Sequence, residues 1–438
     1  MPTPIYQVLK QYADQMTARF HMPGHKGAFL PAPELAPLAP LDVTEIPGTG
    51  NLYEEGEPFT SAQKLWAEMF QADYCQFLTG GSTMGIHTGL SLLCRPGDKI
   101  LVDRNCHRAV FNAMGLLDLE PVYMERPWLS GHNLVGPFSR EDVEKYLDQH
   151  PDVKTICITS PTYAGLLSDI EGISAAVHAR GGKLFVDGAH GAHLPFLHVD
   201  AFRGADCVVV STHKTLPAMG QSALLFTRGM DPELVRRRAS IYGTSSPSYP
   251  ILASIDLARE WLKEHPEEYP RTARRVEQLR RRFPGVGEGL PCDPTRLTLK
   301  VKDGPSFQER LEQMGIYPEM EDGGHVVLIC TPQDNETSAF DRLEEALKEL
   351  ESEMGNCPPI PAPPLPERVM SIREAMFAPT VELPLEECEG KVAACQLAPY
   401  PPGVPVVAPG ERISKKELSY FKEIGYNKKM VQIISKSV

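Results

Sequence analysis

The sequence lacks any apolar run close to the ~20 residues that a membrane-spanning helix needs, and it has no pair of cysteines spaced as CxxC. Its ten cysteines are scattered, and several of them, such as Cys157, Cys207 and Cys330, stand inside strand-like runs. The N-terminus, Met1-Pro2-Thr3-Pro4, has neither the basic nor the apolar region of a signal peptide. We therefore expect free buried thiols, no disulfide, no metal site and a cytoplasmic protein without a membrane segment.

Positive charge is also scarce, since 44 Lys and Arg stand against 57 Asp and Glu, and the formal net charge is −13. Nucleic acids and anionic membranes are bound by clustered Lys and Arg, so neither is an expected partner. The triplet Arg236-Arg237-Arg238 is interpreted as one solvated helix face. With 438 residues, 42% of them hydrophobic, the chain is long enough for two or three domains of a soluble enzyme.

From about Phe59 the sequence alternates between strand-like and helix-like segments, which predicts an α/β fold with a mostly parallel sheet of seven strands. The predicted strands are Cys75–Leu78, Lys99–Val102, Pro121–Met124, Val153–Ile158, Lys183–Val186, Cys207–Val210 and Ala223–Phe226. Before them, residues 1–58 are rich in Pro and Gly and predict an N-terminal arm that covers a pocket, with a helix at Ile5–Phe20.

The predicted large domain, 59–285, ends in helices, and residues 286–357 predict a small α/β domain. The helices are expected at Pro232–Ser240, Pro250–Glu264 and Arg271–Arg282, and the small domain at Arg296–Val301, Ser306–Met314, His325–Cys330 and Ser338–Met354. Residues 358–438 complete the chain with a Pro-rich run at 358–366, which predicts a stiff extended linker, and a C-terminal segment.

Two strand ends carry an amine and an acid. Lys214 follows the strand Cys207–Val210 and stands beside small hydroxyls, where an amine can form a Schiff base with pyridoxal phosphate. Asp187 ends the strand that precedes it, and such an acid suits the ring nitrogen of that cofactor. Alone, each residue is more often a solvated charge or a cap, but the pair repeats the layout of an open α/β site, where ligands bind at the carboxyl ends of strands.

Three further turns could serve the same cofactor. The turn Gly80-Gly81-Ser82-Thr83 follows a strand and could hold a phosphate at a helix N-terminus, or Ser82 could simply cap that helix. His107 stands at another helix start, where its ring could stack on a flat cofactor or cap the helix. The hydroxyl-rich loop at 243–249 could add phosphate donors or be an ordinary capping loop.

Glu411 follows the rigid turns of Tyr400–Pro405 and Pro409-Gly410, which would hold its carboxylate in a fixed place beside a substrate pocket. The alternative is a domain-closing loop in which Glu411 is solvated. His190 and His193 have a spacing that could face one metal ion, but no third ligand stands nearby in the sequence.

Together these motifs resemble the ornithine/lysine/arginine decarboxylase family of fold-type-I pyridoxal phosphate enzymes, in a short form without an N-terminal receiver-like domain. The resemblance runs from His21–Gly27 to Pro409-Gly410-Glu411 and includes Asn105-Cys106-His107 and Thr244-Ser245-Ser246-Pro247. It implies an aspartate-aminotransferase-like large domain, pyridoxal phosphate as cofactor, and decarboxylation of arginine, lysine or ornithine to agmatine, cadaverine or putrescine.

The resemblance also implies roles for single residues. Lys214 matches the lysine that binds the cofactor, Asp187 its pyridinium partner and His107 the stacking ring; Lys214 or His213 would return a proton to Cα. Thr244 matches a residue supplied by the adjoining subunit, which implies a homodimer with the active site at its interface, and Glu411 matches a carboxylate near the distal amine of the substrate. Further cofactor and phosphate neighbours are Gly81, Ser82, Thr83, Ala189, His190, Ser211 and His213.

The sequence departs from the family pattern at Thr44–Glu55, where many members are rich in Asp, and at Ala109, where a serine is common. The divergent loop could bring Glu45 or Glu54 toward the pocket, so the choice of substrate stays open, as does assembly beyond a dimer. Two other functions remain possible at this point. One is another reaction on the same cofactor, such as amino transfer or a Claisen-type condensation. The other is a catalytically silent homologue that acts by binding a partner.

Overall fold

The computed structural model describes residues 2–15, 17–287, 289–359, 361–398, 404–426 and 429–435. Its α-helices are α1 (Pro4–Asp14), α2 (Phe59–Met69), α3 (Gly81–Leu93), α4 (Arg108–Leu117), α5 (Arg140–Gln149), α6 (Ile170–Ala179), α7 (Thr212–Thr215), α8 (Pro232–Tyr242), α9 (Tyr249–Glu264), α10 (Glu268–Arg282), α11 (Gly304–Gln313), α12 (Gln333–Glu336), α13 (Ala339–Glu349), α14 (Ile372–Phe377) and α15 (Lys415–Glu423). Short 3₁₀ helices lie at Ala36–Leu41, Leu194–Leu197, Glu351–Glu353 and Leu385–Glu387.

The strands are β1 (Tyr74–Leu78), β2 (Lys99–Asp103), β3 (Glu120–Met124), β4 (Trp128–Leu129), β5 (Leu134–Val135), β6 (Thr155–Thr159), β7 (Lys183–Asp187), β8 (Cys207–Val210), β9 (Ala223–Thr227), β10 (Arg296–Lys300), β11 (Met320–Glu321), β12 (His325–Ile329), β13 (Thr380–Pro384) and β14 (Met430–Ile434). Seven of them form one sheet in the order β1-β9-β8-β7-β6-β2-β3. β9 runs antiparallel to β1 and β8, whereas β7 with β8, β2 with β6 and β2 with β3 are parallel pairs.

The sequence prediction of a mostly parallel seven-stranded sheet is confirmed, and each predicted strand lies within two residues of an observed one. Strands such as β1, β8 and β9 are buried along their whole length. A sheet covered on both faces requires such near-continuous apolar runs. The sequence could therefore predict these strands from local composition alone.

Residues 1–93 and 185–270 form one compact unit. Here α3 packs closely on the sheet because it carries Gly85 and Gly89 where a larger side chain would not fit. A Cβ atom at Gly85 would overlap Val209 Cγ2 and lie 2.8 Å from Leu78 Cδ1, and one at Gly89 would overlap the ring of Phe185. This close packing fixes the start of α3 at one edge of the strands.

The N-terminal helix is shorter than predicted, because α1 ends at Asp14 and not at Phe20. After this end the chain folds back, so that the Arg19 guanidinium lies 4.7 Å from the centre of the Tyr12 ring. Phe20, which extended the predicted apolar pattern, is 96% exposed. The prediction was wrong there because an apolar residue in a helical register was counted as a core position.

The start of α1 is held by a residue far away in the sequence. Asp256, in α9, is fully buried, and its Oδ2 accepts hydrogen bonds from the backbone N–H groups of Ile5 at 2.8 Å and Tyr6 at 3.3 Å. Helix α1 has no capping side chain of its own at Thr3, so Asp256 satisfies two of the donors that every helix start leaves open. Burial is the main reason why the pKa of Asp256 is raised to about 6.

Residues 94–184 and 271–438 form the second compact unit. It holds β2, β3 and β6 of the large sheet, and a separate antiparallel sheet of three strands in the order β10-β12-β11. This small sheet has its own apolar core, which includes Phe307 and Leu347. The predicted elements of the small α/β region are observed as β10, α11, β12 and α13, but α13 ends at Glu349, before the predicted end at Met354. The predicted domain boundaries themselves remain predictions.

The C-terminal segment has more structure than the sequence indicated. β13 and β14 pair antiparallel, with Val381 opposite Ile433, and they share an apolar cluster with α15 that includes Leu397 and Phe421. Part of the predicted rigid turn, residues 399–403, lies outside the described residues. No helix in the described part of the chain is both long and apolar enough to cross a membrane.

Candidate functional site

Three of the turns singled out in the sequence lie at one edge of the strands. β1 and β8 both end opposite residues 223–224 of β9. Asp187, the last residue of β7, lies in register with Val209, one residue before the end of β8. The start of α3, the Ser211–Lys214 turn and the Asp187 carboxylate therefore share one edge, at the carboxyl ends of β1, β7 and β8.

Lys214 is half-buried in the single-turn helix α7. Its Nζ lies 3.1 Å from Nε2 of His190, which is only 3% exposed. When Lys214 is protonated, its ammonium group can only donate, so Nε2 of His190 accepts this hydrogen bond. The amine is thus held in place by a buried ring, and it is not a freely solvated surface charge.

His213 is oriented by Ser222, a residue that the sequence motifs did not indicate. Its Nδ1 donates to the Ser222 carbonyl at 2.8 Å, and the neighbouring Thr212 hydroxyl donates to the Ser222 hydroxyl at 2.6 Å. Burial and the charge of Lys214 lower the pKa of His213, against the hydrogen bond to Ser222, which raises it. The imidazole is therefore neutral near pH 7. Only the position of Ser222 just before β9 could have suggested its role.

The glycine turn is built as a helix start. Gly81 has a left-handed φ of 67°, and its N–H donates to the Gln221 carbonyl at 2.8 Å, so residues 221–222 contact both this turn and His213. Ser82 lies inside the first turn of α3, so the alternative in which it is the capping residue is wrong. Ser82 is half-buried and Thr83 is exposed. Their hydroxyls could therefore donate to an anion at the N-terminus of this helix.

The residues at this edge fit a cofactor that carries a phosphate and a ring nitrogen. The buried hydroxyls of Ser211 and Thr79 have no hydrogen-bond partner among the described residues, and such hydroxyls normally have one. Asp187 is 2% exposed, and its Oδ1 accepts from the N–H of the buried Ala189 at 3.2 Å. An acid, an amine and unpaired donors at one edge are what pyridoxal phosphate requires.

His193 has a structural role in this unit. It is fully buried, and its ring lies 5.3 Å from the ring of Tyr269. The described residues include no group of three or more His, Cys, Asp and Glu side chains placed to hold a metal ion.

The divergent loop packs beside the hydroxyl-rich loop. Tyr249 donates its hydroxyl to the Gly50 carbonyl at 2.6 Å, and a Cβ atom at Gly243 would overlap the Tyr53 hydroxyl. That hydroxyl is buried and has no hydrogen-bond partner in the described part of the chain. Burial raises the pKa of Tyr53 to about 12, with a smaller contribution from Glu45. Tyr53 is a candidate site residue that the sequence did not indicate.

Thr244 follows directly after Gly243 and is exposed. Its Oγ1 accepts from the Ser246 N–H at 3.2 Å, which is the geometry of a small capping turn. The structure of the single chain thus leaves its side chain on the surface.

His107 lies in the second compact unit, where it follows β2 and caps α4. Its Nδ1 accepts from the Ala109 N–H at 3.2 Å, so the proton of the neutral ring is on Nε2. The ring is half-buried. The capping alternative is confirmed, and the cap fixes the orientation of the ring relative to α4. Ala109 is buried, so the usual serine would bring a hydroxyl into a buried position.

Glu411 is fully buried, so the alternative in which it is solvated is wrong. Its Oε2 accepts from Arg104 Nη2 at 2.9 Å and from the Ala408 N–H at 2.7 Å. Arg104 also donates to the Val406 carbonyl at 2.8 Å. Burial raises the pKa of Glu411, against Arg104, which lowers it. This ion pair fastens the C-terminal segment to the turn that carries His107, and no local signal in the sequence could have indicated it.

A second buried ion pair supports the same turn. Arg126 Nη2 lies 2.6 Å from Asp103 Oδ2, and the two side chains are 1% and 0% exposed. Asp103 Oδ1 also accepts from the Asn105 N–H at 2.9 Å, while Arg126 donates to the carbonyls of Gly136 and Thr159. The carboxylate at the end of β2 therefore holds the first residues of the turn that leads to His107.

Comparison with solved structures places the fold among the fold-type-I pyridoxal phosphate enzymes. The lysine decarboxylase LdcF of Francisella novicida is similar with a TM-score of 0.82 at 19% identity, covering 99% of this chain and 81% of that one. A structure described as SPT with PLP is similar with a TM-score of 0.52 at 15% identity, covering 66% of this chain and 76% of that one. At these identities the likeness concerns the fold alone.

Sequence comparison then gives the family. Residues 3–284 match the Orn/Lys/Arg decarboxylase major domain and residues 363–430 its C-terminal domain. The uncharacterized protein YaaO of Bacillus subtilis is 31% identical over 99% of this chain and 96% of its own length. An arginine decarboxylase of the same organism is 31% identical over 96% of this chain and 94% of its own length. The chain belongs to the Orn/Lys/Arg decarboxylase family.

Proposed function

We propose that this protein releases CO2 from the α-carboxylate of a basic L-amino acid, with arginine as the first substrate to test. The single observation that carries the proposal is the half-buried Lys214 amine, 3.1 Å from His190, at the strand edge that ends in Asp187. The similarity to an arginine decarboxylase over 96% of this chain supports arginine before lysine and ornithine.

The residues at this edge would hold pyridoxal phosphate in a defined orientation. The start of α3, with Ser82 and Thr83, would receive the phosphate, and the unpaired hydroxyl of Ser211 would be a further donor. Asp187 would keep the ring nitrogen protonated, and Ala189 would contact one face of the ring. When bound, the cofactor supplies a covalent attachment for the substrate amine and an electron sink for the charge left by CO2.

Lys214 is better suited than His213 to return the proton to Cα. The lowered pKa of His213 keeps it neutral near pH 7, so it carries no spare proton, and its one N–H is used by the Ser222 carbonyl. Lys214 Nζ has three N–H groups and is held by His190 through one acceptor nitrogen. His213 would therefore position its neighbours, and Lys214 would be the general acid.

Glu45 is the better candidate for the distal cation of the substrate, and Glu411 the weaker one. Glu411 is fully buried and paired with Arg104, so a ligand cation would have to displace a guanidinium to reach it. Glu45 is half-buried and close enough to raise the pKa of Tyr53, which lies beside Gly243. A partly desolvated carboxylate there can bind an ammonium or guanidinium group.

A matched pair of variants tests this assignment. Glu45→Gln should raise KM for the basic substrate by about tenfold or more, because a charge-assisted hydrogen bond is lost. Glu411→Gln should instead lower kcat with little change in KM, because it loosens the turn that carries His107. The opposite pattern would return the role to Glu411.

The exposed Thr244 supports a homodimer in which this residue completes the active site of the partner. The native mass of the cofactor-loaded protein in solution tests this, and a monomer with full activity would contradict it. All ten cysteines are buried or half-buried, and none forms a disulfide. Free thiols of this kind support a reducing compartment, and we propose the cytoplasm.

The activity is tested by incubating the purified protein and pyridoxal phosphate separately with L-arginine, L-lysine and L-ornithine. The expected products are CO2 and the matching amine in equal amounts. Lys214→Ala is the control, since it keeps the fold and removes the amine. A keto acid as product would indicate amino transfer, and no product from any of the three would contradict the proposal and favour a silent homologue.

A further inference from the structure

A small cavity of ≈ 190 Å³ lies in the second compact unit, and none of its described lining residues is one assigned to the cofactor. It is lined by the turn between β4 and β5, by Lys300 at the end of β10, by Gly324 and His325 at the start of β12, and by Asn356, Cys357 and Pro359. A cavity of this size is below the range of drug-sized ligands. It suits an ion or a very small molecule.

The lining side chains that can carry a full charge near neutral pH are basic. Lys300, His132 and His325 line it, whereas none of its described lining residues is an Asp or Glu. Asp322, outside the lining, contacts one of these groups, since its Oδ1 lies 2.9 Å from Nδ1 of His325. Burial, and then the charges of Lys300 and His325, lower the pKa of His132. Burial also lowers the pKa of Lys300. A negative charge in the cavity would favour the protonated forms of His132 and Lys300 and so raise both pKa values.

Two basic side chains at this cavity have hydrogen-bonding capacity that the described residues do not use. His132 Nδ1 is buried and has no hydrogen-bond partner among the described residues. Lys300 Nζ donates to the Gly131 carbonyl at 3.1 Å, which uses one of its three N–H groups. Asn133 Nδ2 donates to the Pro358 carbonyl and to Cys357 Sγ, both at 3.2 Å. The histidines and the cysteine do not form a metal site within the described residues.

We propose that this cavity binds a small oxyanion, a phosphate or a small carboxylate, between Lys300 Nζ and His132 Nδ1. The site is independent of the proposed decarboxylation. Because Cys357 and Pro359 line the cavity, a bound anion would fasten the point at which the small α/β region continues into the Pro-rich linker. Occupancy would also shield the Cys357 thiol.

Calorimetric titration of the full-length protein tests the proposal. The protein is first saturated with pyridoxal phosphate, so that the start of α3 is occupied, and it is then titrated with inorganic phosphate or with acetate at constant ionic strength. Saturable binding of one of the two, one ion per chain, is expected and identifies the anion class. Lys300→Met should weaken binding by about tenfold or more, since a charge-assisted hydrogen bond is lost.

Lys302→Met is the matched control. Lys302 stands two residues further on and donates instead to the Ser352 carbonyl at 2.8 Å, so its loss should leave the affinity unchanged. His132→Asn provides a second test if Lys300→Met folds poorly. Equal effects of Lys300→Met and Lys302→Met, or heats that do not saturate with either anion, would overturn the proposal.

Labelling of cysteines by iodoacetamide gives a readout that does not depend on activity. The anion should slow the labelling of Cys357 and leave Cys395, which is also half-buried, unchanged. The protection should disappear in Lys300→Met. Labelling of Cys357 that is unaffected by either anion would also overturn the proposal. The calorimetric titration and the cysteine labelling do not depend on whether the protein decarboxylates a basic amino acid, so the two proposals can fail separately.

Discussion

The buried pair of Asp103 and Arg126 allows a strong prediction, that Arg126→Leu will destabilise the protein by about 3–5 kcal/mol. The two side chains are 0% and 1% exposed, so water cannot replace the lost guanidinium. Asp103 would keep only the N–H groups of Asn105 at 2.9 Å and Thr159 at 3.3 Å. Most of the cost is that of an uncompensated buried charge.

The same reasoning predicts the result of a second substitution. Asp103→Asn combined with Arg126→Leu should be less destabilising than Arg126→Leu alone, because no charge is then left in the interior. An Asn side-chain oxygen can still accept from the Asn105 N–H, so the turn toward His107 should partly recover.

Urea denaturation of the cofactor-loaded protein, followed by circular dichroism, measures these differences. Arg140→Ala is the control, because Arg140 is about half exposed and pairs with Glu144 four residues on, a pair expected to contribute less than about 1 kcal/mol. If Arg126→Leu costs no more than Arg140→Ala, or if the double variant is the least stable, the argument from burial is refuted.

Three further outcomes are expected. Lys214→Ala should lose the visible absorbance of bound pyridoxal phosphate and all CO2 release, and a retained band would remove Lys214 from its role. Because the pKa of Asp256 is raised to about 6 in the folded protein, folding favours its protonated form. The protonated side chain therefore adds up to about 3 kcal/mol to the free energy of unfolding below about pH 4, and this stabilisation is lost as the pH rises to about 6. Asp256→Asn should flatten that slope in urea denaturation at several pH values, and equal slopes would contradict it. Gly85→Ala should cost about 1–3 kcal/mol through overpacking against Val209, while Gly56→Ala, which has open space, should cost little in the same assay.

Several parts of the fold could be predicted because their cause is local. The buried strands have continuous apolar runs, and the amine of Lys214 and the acid of Asp187 follow directly after such runs. Since parallel strands present their carboxyl ends at one edge of a sheet, their meeting at that edge followed from strand type alone. The family motifs added the cofactor and the class of reaction to that expectation.

The extent of α1 and the elements of the C-terminal segment could not be predicted in this way. In α1 the apolar period continued to Phe20, but the helix ends where its packing surface ends, at Asp14. In the C-terminal segment, β13 and β14 are stabilised by pairing with each other across about fifty residues. Neither strand has a local pattern strong enough to be identified alone.

The sequence by itself determined which residues end the strands, and so which groups could bind and use the cofactor. Only the tertiary structure decided that Glu411 pairs with Arg104, 307 residues away, that Asp256 caps a helix 251 residues before it, and that Lys300 and His132 share a cavity. The physical reason is that hydrogen bonds and ion pairs act over a few ångströms. How the helices and strands pack decides which distant residues come within that range, and the spacing of residues along the chain does not reveal this packing.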